Sequence, residues 1–493
     1  MLTTFNGQKH KKRKLDRISA DEDGSEEEDL PDYMKISETY NDIEDPINDE
    51  HYLETIDRQA LDFDFERICS ISLSSVNVYC CLVCGKYFQG RSMSSHAYNH
   101  SINMDHHVFV NMNTEKFYVL PNNYEIKSAR ALKSLADVKN LMNPTYNPNS
   151  ELPKLSYTLN NEPYDVGYVG LNNISSNDYL NVIIQLLSHI PPIKNFYLNL
   201  SSKDNLRGLM ARKSELNSEF GFLVRKIWSS HLYKNHVSPQ VFLQLVSRVS
   251  KKHFSLNKQG SPKQFMVWLV NQLHSQMSKV VKSKETVFLN SCQGRVEVTK
   301  IAIDLKEKDS TIKFKLDESS VTKGISNFWI LSLDVPKISV FTKKSMITEV
   351  SLMSLLKKYD GTTKSQSSPN EVKVYKLLEP LPPYLFFHID RTLEDTSSEG
   401  NSTVVKYPEL LDMSSYVGSS HLTNYRLLAN IKHSTIPGPD LNNGNGKHKW
   451  SIDLRKDNND WLNINDLEIK ECHYELLFLD ESYIQVWEKL DMN

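Results

Sequence analysis

Apolar residues recur at helical spacing in four stretches of the chain. Leu180, Ile183, Ile184 and Leu187 fall on one face of a helix that begins near Asp178. Phe220 to Trp228 and Val241 to Val249 repeat the pattern, and Gln264 to Leu273 repeats it more strongly with Phe265, Trp268 and Leu269. Ahead of the first helix, Gly170 to Ser176 is polar and carries a glycine, so it reads as a loop. That loop delivers Asn177 and Asp178 to the helix start, where both residue types cap well. Past residue 290 the period changes to two. Gly294-Arg295-Val296-Glu297-Val298-Thr299 and Phe328 to Val335 alternate as strands do, and Ser482 to Trp487 reads as a closing strand. Helices first and strands afterwards give an α+β domain.

Polar and charged stretches divide the rest. Residues 1–45 open with Lys9-His10-Lys11-Lys12-Arg13-Lys14 and turn acidic from Asp21 to Asp29. Such charge blocks stay solvated, so this is a disordered tail. The basic run suits a nuclear-import signal, and Ser25, ahead of three glutamates, suits an acid-directed kinase. Residues 128–162 are polar, carry Pro144, Pro148 and Pro153, and read as a linker. A large domain is expected over 163–491, broken by Ser-, Asn- and Gly-rich loops at 392–402 and 436–447. The length of 493 residues allows two or three domains, and 39% hydrophobic residues suit packed cores. A net charge of −3 gives no chain-wide pull toward nucleic acid or membrane. No apolar run reaches the roughly 18 residues of a membrane span, and the N-terminus lacks a secretory apolar core.

The cysteines add chemistry. Six are present, and Cys80, Cys81 and Cys84 cluster ahead of His96, His100, His106 and His107. That is metal chemistry in a reducing compartment rather than a disulfide framework. Zinc takes four Cys and His ligands in a tetrahedron, and a Cys-x-x-Cys knuckle followed by two histidines supplies them. Cys81, Cys84, His100 and His106 are the expected zinc ligands, within a finger spanning 50–127. Cys69 and His96 are further candidates.

Two resemblances organise these readings. Cys69, Cys81-x-x-Cys84-Gly85-Lys86-Tyr87, Gly90, His96, His100, His106 and Val108 resemble the zinc finger found beside many ubiquitin proteases. Ser72 stands where a second cysteine would pair with Cys69, and His51-Tyr52-Leu53 stands where a Cys-x-His is usual, so one zinc is expected. The stretch Gly170-Leu171-Asn172-Asn173 to Tyr179, Asn181 and Gln185 resembles the nucleophile box of ubiquitin-specific proteases. Leu381 to Arg391 resembles that family's proline-led central strand. Tyr425 to His433, His448 and Trp461-Leu462-Asn463-Ile464-Asn465-Asp466 resemble the box that holds its base and orienting residue. The resemblance implies a papain-like fold of thumb, fingers and palm. It places the nucleophile position on Asp178, the base on His448 and the orienting residue on Asn465, with Asn173 in the box. A helix start lowers a thiol pKa and makes a thiolate; a carboxylate there is a far poorer nucleophile toward an amide. Lys447 and Lys449 flank His448 where Gly and Tyr are expected, and would crowd the groove for a substrate's tail.

An intact box without its sulfur resembles the inactive, ubiquitin-protease-like splicing factors of the U4/U6.U5 tri-snRNP. That implies a nuclear pseudo-enzyme, a scaffold that supports tri-snRNP assembly and its joining to the spliceosome. Its partners would be tri-snRNP proteins, with ubiquitin or a ubiquitin-like protein as a further candidate. RNA contact would be indirect, since no dense basic stripe is interleaved with aromatics. Two alternatives stay open: a ubiquitin reader, and an active isopeptidase using Cys292 or Cys472.

Overall fold

The computed structural model describes residues 51–490, apart from 148–150, 201–204, 309–310, 337–347, 369–370, 392–402, 419–422 and 437–446. The charge blocks of the tail, Ser25 and most of both polar loops therefore lie outside the described residues.

The Cys-rich segment folds as a five-stranded antiparallel sheet. Its order is Tyr87–Gln89, Val78–Cys81, Val108–Asn111, Phe117–Val119, Tyr124–Glu125. Short strands suffice because both faces are used: Val78, Cys80, Val108 and Val110 fill one small core, and Tyr79, Cys81 and Phe109 fill another. Helix His96–Met104 lies against the sheet and ends at Asp105 in left-handed backbone. The stretch expected as a linker is folded in part. Ala129–Ser134 and Ala136–Met142 are short helices, and Leu155–Tyr157 pairs with Pro163–Asp165. Ala131, Leu135, Val138 and Met142 are the reason: at helical spacing they pack onto the finger's core.

A helical lobe follows, then two sheets, matching the expected thumb, fingers and palm. The helices include Asp178–Ser188, Pro191–Asn199, Glu215–Ile227, Gln240–Val249 and Pro262–Val281. The last is longer than its apolar pattern suggested. Pro262 opens it, and the Ser261 hydroxyl accepts the Gln264 amide at 3.4 Å. The finger-like sheet is antiparallel, built on Gly294–Lys308 paired with Thr311–Phe328, then Glu371–Leu378 and Asp360–Ser368. The palm is an eight-stranded sheet centred on Tyr384–Asp390, Glu481–Lys489, Asn424–Ile436 and Lys447–Arg455, with Trp461–Asn465 and Glu468–Cys472 beyond.

The single strand expected over Phe328 to Val335 is two. Phe328 ends the finger hairpin, and Leu331–Asp334 starts the edge of the palm. Trp329 makes the break, because its indole N–H donates to Asn271 Oδ1 at 2.8 Å and ties the turn to helix Pro262–Val281. The Leu381 stretch becomes strand only at Tyr384, since Pro382 and Pro383 have no N–H to give a ladder.

Candidate functional site

The helix Asp178–Ser188 was expected to bury one face and instead buries every residue. It is wedged between the Lys447–Arg455 strand and helix Pro262–Val281. Its polar residues are therefore bound internally. Asn181 donates to the Leu171 and Asn172 carbonyls at 3.4 and 3.3 Å, and Gln185 to the Val169 carbonyl at 2.7 Å. Asn177 is the knot of the preceding loop. Its Oδ1 accepts the Ile174 amide at 2.7 Å, and its Nδ2 donates to Asn181 Oδ1 at 3.0 Å. Its side chain thus faces backward and does not cap the helix.

Asp178 sits in the first turn, 4% exposed. Its Oδ2 accepts the Trp450 backbone N–H at 3.1 Å and a Gln259 amide N–H at 3.3 Å. Its Oδ1 is buried without a hydrogen-bond partner. One carboxylate thereby joins the helix, the palm strand and the loop before Ser261. The helix start favours that negative charge. Trp450 in turn packs between His433 and Tyr483, with ring centroids 4.7 Å away on each side.

Asn173 donates to Asp466 Oδ2 at 3.1 Å and accepts the Asn177 amide at 3.2 Å. The residue of the last box that reaches Asn173 is thus Asp466, one beyond Asn465. Asp466 turns with φ 55, and its carbonyl accepts the Leu171 amide at 3.0 Å. A side chain at Gly170 would stand 2.9 Å from that carbonyl, so only glycine permits the crossing. Burial pushes the Asp466 carboxyl up and the Asp178 charge adds to it, against Asn173 and Lys449, which hold it down. Asn465 ends its strand with Oδ1 buried and unpartnered. His448 lies on the strand Lys447–Arg455, its backbone opposite Thr435; the side chains of Lys447 and His448 are outside the described residues.

Neither other thiol of this domain is poised to react. Cys292 lies in the helical core, and burial pushes its thiol up. Cys472 is half-buried on the far edge of the palm, pushed up to about 12 by burial. The loss of each proton is disfavoured, which is the reverse of an activated nucleophile.

In the finger, Cys81, Cys84, His100 and His106 bring one ligand atom each to within 4.8 Å of one another. Cys81 Sγ is 3.6 Å from His106 Nδ1, Cys84 Sγ 3.4 Å from His100 Nε2, and the two histidine nitrogens are 3.1 Å apart. A zinc tetrahedron with ordinary Zn–S and Zn–N bonds has edges of roughly 3.3–3.8 Å, so the donor set fits that ion. The knuckle is shaped by backbone bonds: Cys81 N–H to the Lys86 carbonyl and Gly85 N–H to the Cys81 carbonyl, both 2.9 Å, with Gly85 at φ 70. Burial lowers the His100 pKa, which favours the neutral, ligating ring. Cys69 and His96 fall outside this cluster. Cys69 is buried, and its sulfur accepts the Ser72 amide at 3.4 Å.

Residues 169–487 match the ubiquitin carboxyl-terminal hydrolases, and residues 69–131 match the zinc finger of ubiquitin hydrolases and other proteins. The chain belongs to the ubiquitin carboxyl-terminal hydrolase family. Among hydrolase-family relatives it is 36% identical over 489 residues to the probable mRNA-splicing protein ubp10 of Schizosaccharomyces pombe, covering 94% of this chain and 93% of that one. It is 37% identical over 465 residues to human ubiquitin carboxyl-terminal hydrolase 39, covering 89% and 80%. The crystal structure of an essential yeast splicing factor superposes with a TM-score of 0.71 at 32% identity, covering 90% of this chain and all of that one.

Three residues of this hydrolase-family site escaped the sequence reading. Trp450 takes part through its backbone, which no side-chain pattern reveals. Gln259 lies 81 positions from Asp178; the Ser261-Pro262 helix start was the only local cue that its loop closes on the site. Asp466 ends the recognised box, and its bond to Asn173 joins residues 293 positions apart.

Proposed function

We propose that this chain is a non-catalytic member of its family that serves pre-mRNA splicing as a scaffold, supporting assembly of the U4/U6.U5 tri-snRNP in the nucleus. The observation that carries the reading is Asp178. The expected nucleophile position holds a carboxylate, with Oδ2 engaged by Trp450 and Gln259, where the chemistry calls for a thiolate. Attack on an amide by either oxygen of such a group would form an anhydride, and a carboxylate is a far poorer nucleophile than a thiolate. The relatives named as splicing proteins support the biological setting. On this reading Asn173 and Asn465 are relics of a catalytic site, as is His448.

The finger, taken as residues 50–127, holds one zinc through Cys81, Cys84, His100 and His106. Bound there, zinc supplies a structural crosslink between the knuckle and helix His96–Met104. The domain taken as 163–491 offers surface to tri-snRNP proteins, and a ubiquitin-like protein is a further candidate for it. Affinity purification of the tagged chain from nuclear extract tests the reading. Tri-snRNP proteins and their small nuclear RNAs are expected to co-purify at matched yield; a preparation free of both contradicts it.

A further inference from the structure

A cavity of about 630 Å³ opens at the other end of the Asp178–Ser188 helix, about 15 Å from Asp178 along its axis. One wall is Tyr146, Leu152 and Lys154 of the stretch expected as a linker; the opposite wall is Lys194 and Leu198, and Lys456 closes it. Lys194 is the notable group. Its ammonium lies 4.1 Å from the centre of the Trp228 ring. Among the described residues it makes no ion pair and no hydrogen bond. The neighbouring Lys456 is already matched by Asp165 at 2.7 Å. Asp457 acts on Lys194 only as a more distant charge.

A half-buried cation in front of an aromatic face gains most from an anion that enters the cavity. Overall, Lys154, Lys194 and Lys456 are balanced by Glu151, Asp165 and Asp457 around the cavity. That balance does not favour a polyphosphate chain, which needs a net basic surface. Within that neutral lining, the Lys194 ammonium on the Trp228 face suits a single carboxylate carried on an apolar body. Leu152 and Tyr168, each partly exposed on the core's flank, offer the apolar seat. Asn147, Asn195, Asn199 and Asn458 surround it with side-chain amides, which both donate to and accept from a peptide backbone.

We propose that this cavity docks a short acidic segment of a partner protein, which places a carboxylate at Lys194 and an apolar side chain against Leu152 and Tyr168. The site is independent of the silent catalytic position, and its failure would leave the scaffold reading untouched. The test is an NMR titration of the full chain that follows the Trp228 indole N–H, which donates to the Ser188 carbonyl at 3.0 Å beside the cavity. The probes are N-acetyl-Leu-Glu-Leu-amide, its Gln counterpart, acetate and uridine monophosphate. The Glu peptide is expected to shift the resonance in a saturable way. Binding should weaken about tenfold or more with the Gln peptide or with Lys194→Met. Lys194→Gln serves if the methionine variant misfolds. Silence at millimolar Glu peptide overturns the proposal, as does equal binding by the Gln peptide or by the variants. Acetate or uridine monophosphate binding as tightly as the Glu peptide also overturns it, because the cavity would then be a site for small anions or nucleotides.

Discussion

Asp178 serves as a tie between the start of its helix and the palm strand. Its Oδ2 accepts the buried Trp450 backbone N–H, while its charge faces Asp466. The two effects separate by substitution. Asp178→Ala strands the Trp450 N–H and is expected to lower stability by about 1–3 kcal/mol in urea unfolding. Asp178→Asn keeps an acceptor and removes the repulsion, so it should be neutral or stabilising at pH 7. If the two variants prove equally damaging, the hydrogen bond is not what matters. The box residues were legible because type and order repeat a known pattern. The tie was not, because it pairs a side chain with a main-chain group 272 residues away. The contact of Asp466 with Asn173 escaped for a related reason: it forms at a left-handed turn past the strand end.

At the scale of elements, buried polar groups make the joints. His189, just past the Asp178–Ser188 helix, is packed between Tyr168 and Trp228 at 4.9 and 5.2 Å and bonded to the Gln185 carbonyl at 2.7 Å. Burial holds its pKa down to about 4, from 6.5. Below pH 6.5 the unfolded chain therefore takes up a proton that the folded chain refuses. Stability from this group is intact at neutral pH and falls as pH drops from 6.5 to about 4, by up to about 3 kcal/mol. Urea midpoints measured across that range should fall less steeply in His189→Gln; an unchanged slope would show that His189 titrates normally. The finger makes the second elemental case. Its five short strands and two small cores leave much of its stability to the proposed zinc. Mass spectrometry under native conditions should count one zinc, and chelation should unfold the finger, seen as fast exchange of the Val78–Cys81 and Val108–Asn111 amides. A count of two would bring Cys69 into play. The periods of 3.6 and 2 made most elements readable in sequence. They misjudged the box helix, because a helix enclosed on every side needs no polar face.

Across the molecule, the finger is bound to the helical lobe by a polar seam. Lys226, with its side chain 5% exposed, pairs with Asp64 and donates to the Phe63 carbonyl at 3.3 Å. Asp64 also accepts the Ser238 amide at 2.8 Å. Burial pushes the Asp137 carboxyl up, but hydrogen bonds from Arg58 at 2.5 Å and Tyr233 at 2.8 Å outweigh it and hold it below its usual value. Lys226→Met leaves a partly buried carboxylate without its cation and should cost about 1–3 kcal/mol. Adding Asp64→Asn should recover over half, because the neutral amide still accepts from Ser238; no recovery would mean the seam is held by other contacts. No sequence pattern marks this seam, since its partners lie from 79 to 174 positions apart. Motif order did reveal the finger and the protease fold. What it could not supply was the way they close on each other and enclose the linker.

Absence of bond-breaking chemistry is the central claim, and a ubiquitin–aminomethylcoumarin assay tests it most directly. The purified zinc-loaded chain, and its Asp178→Cys variant with Lys447 and Lys449 in place, are both expected to release no fluorophore above the blank. Release by the wild-type chain that survives repurification and disappears in Asp178→Ala would contradict it.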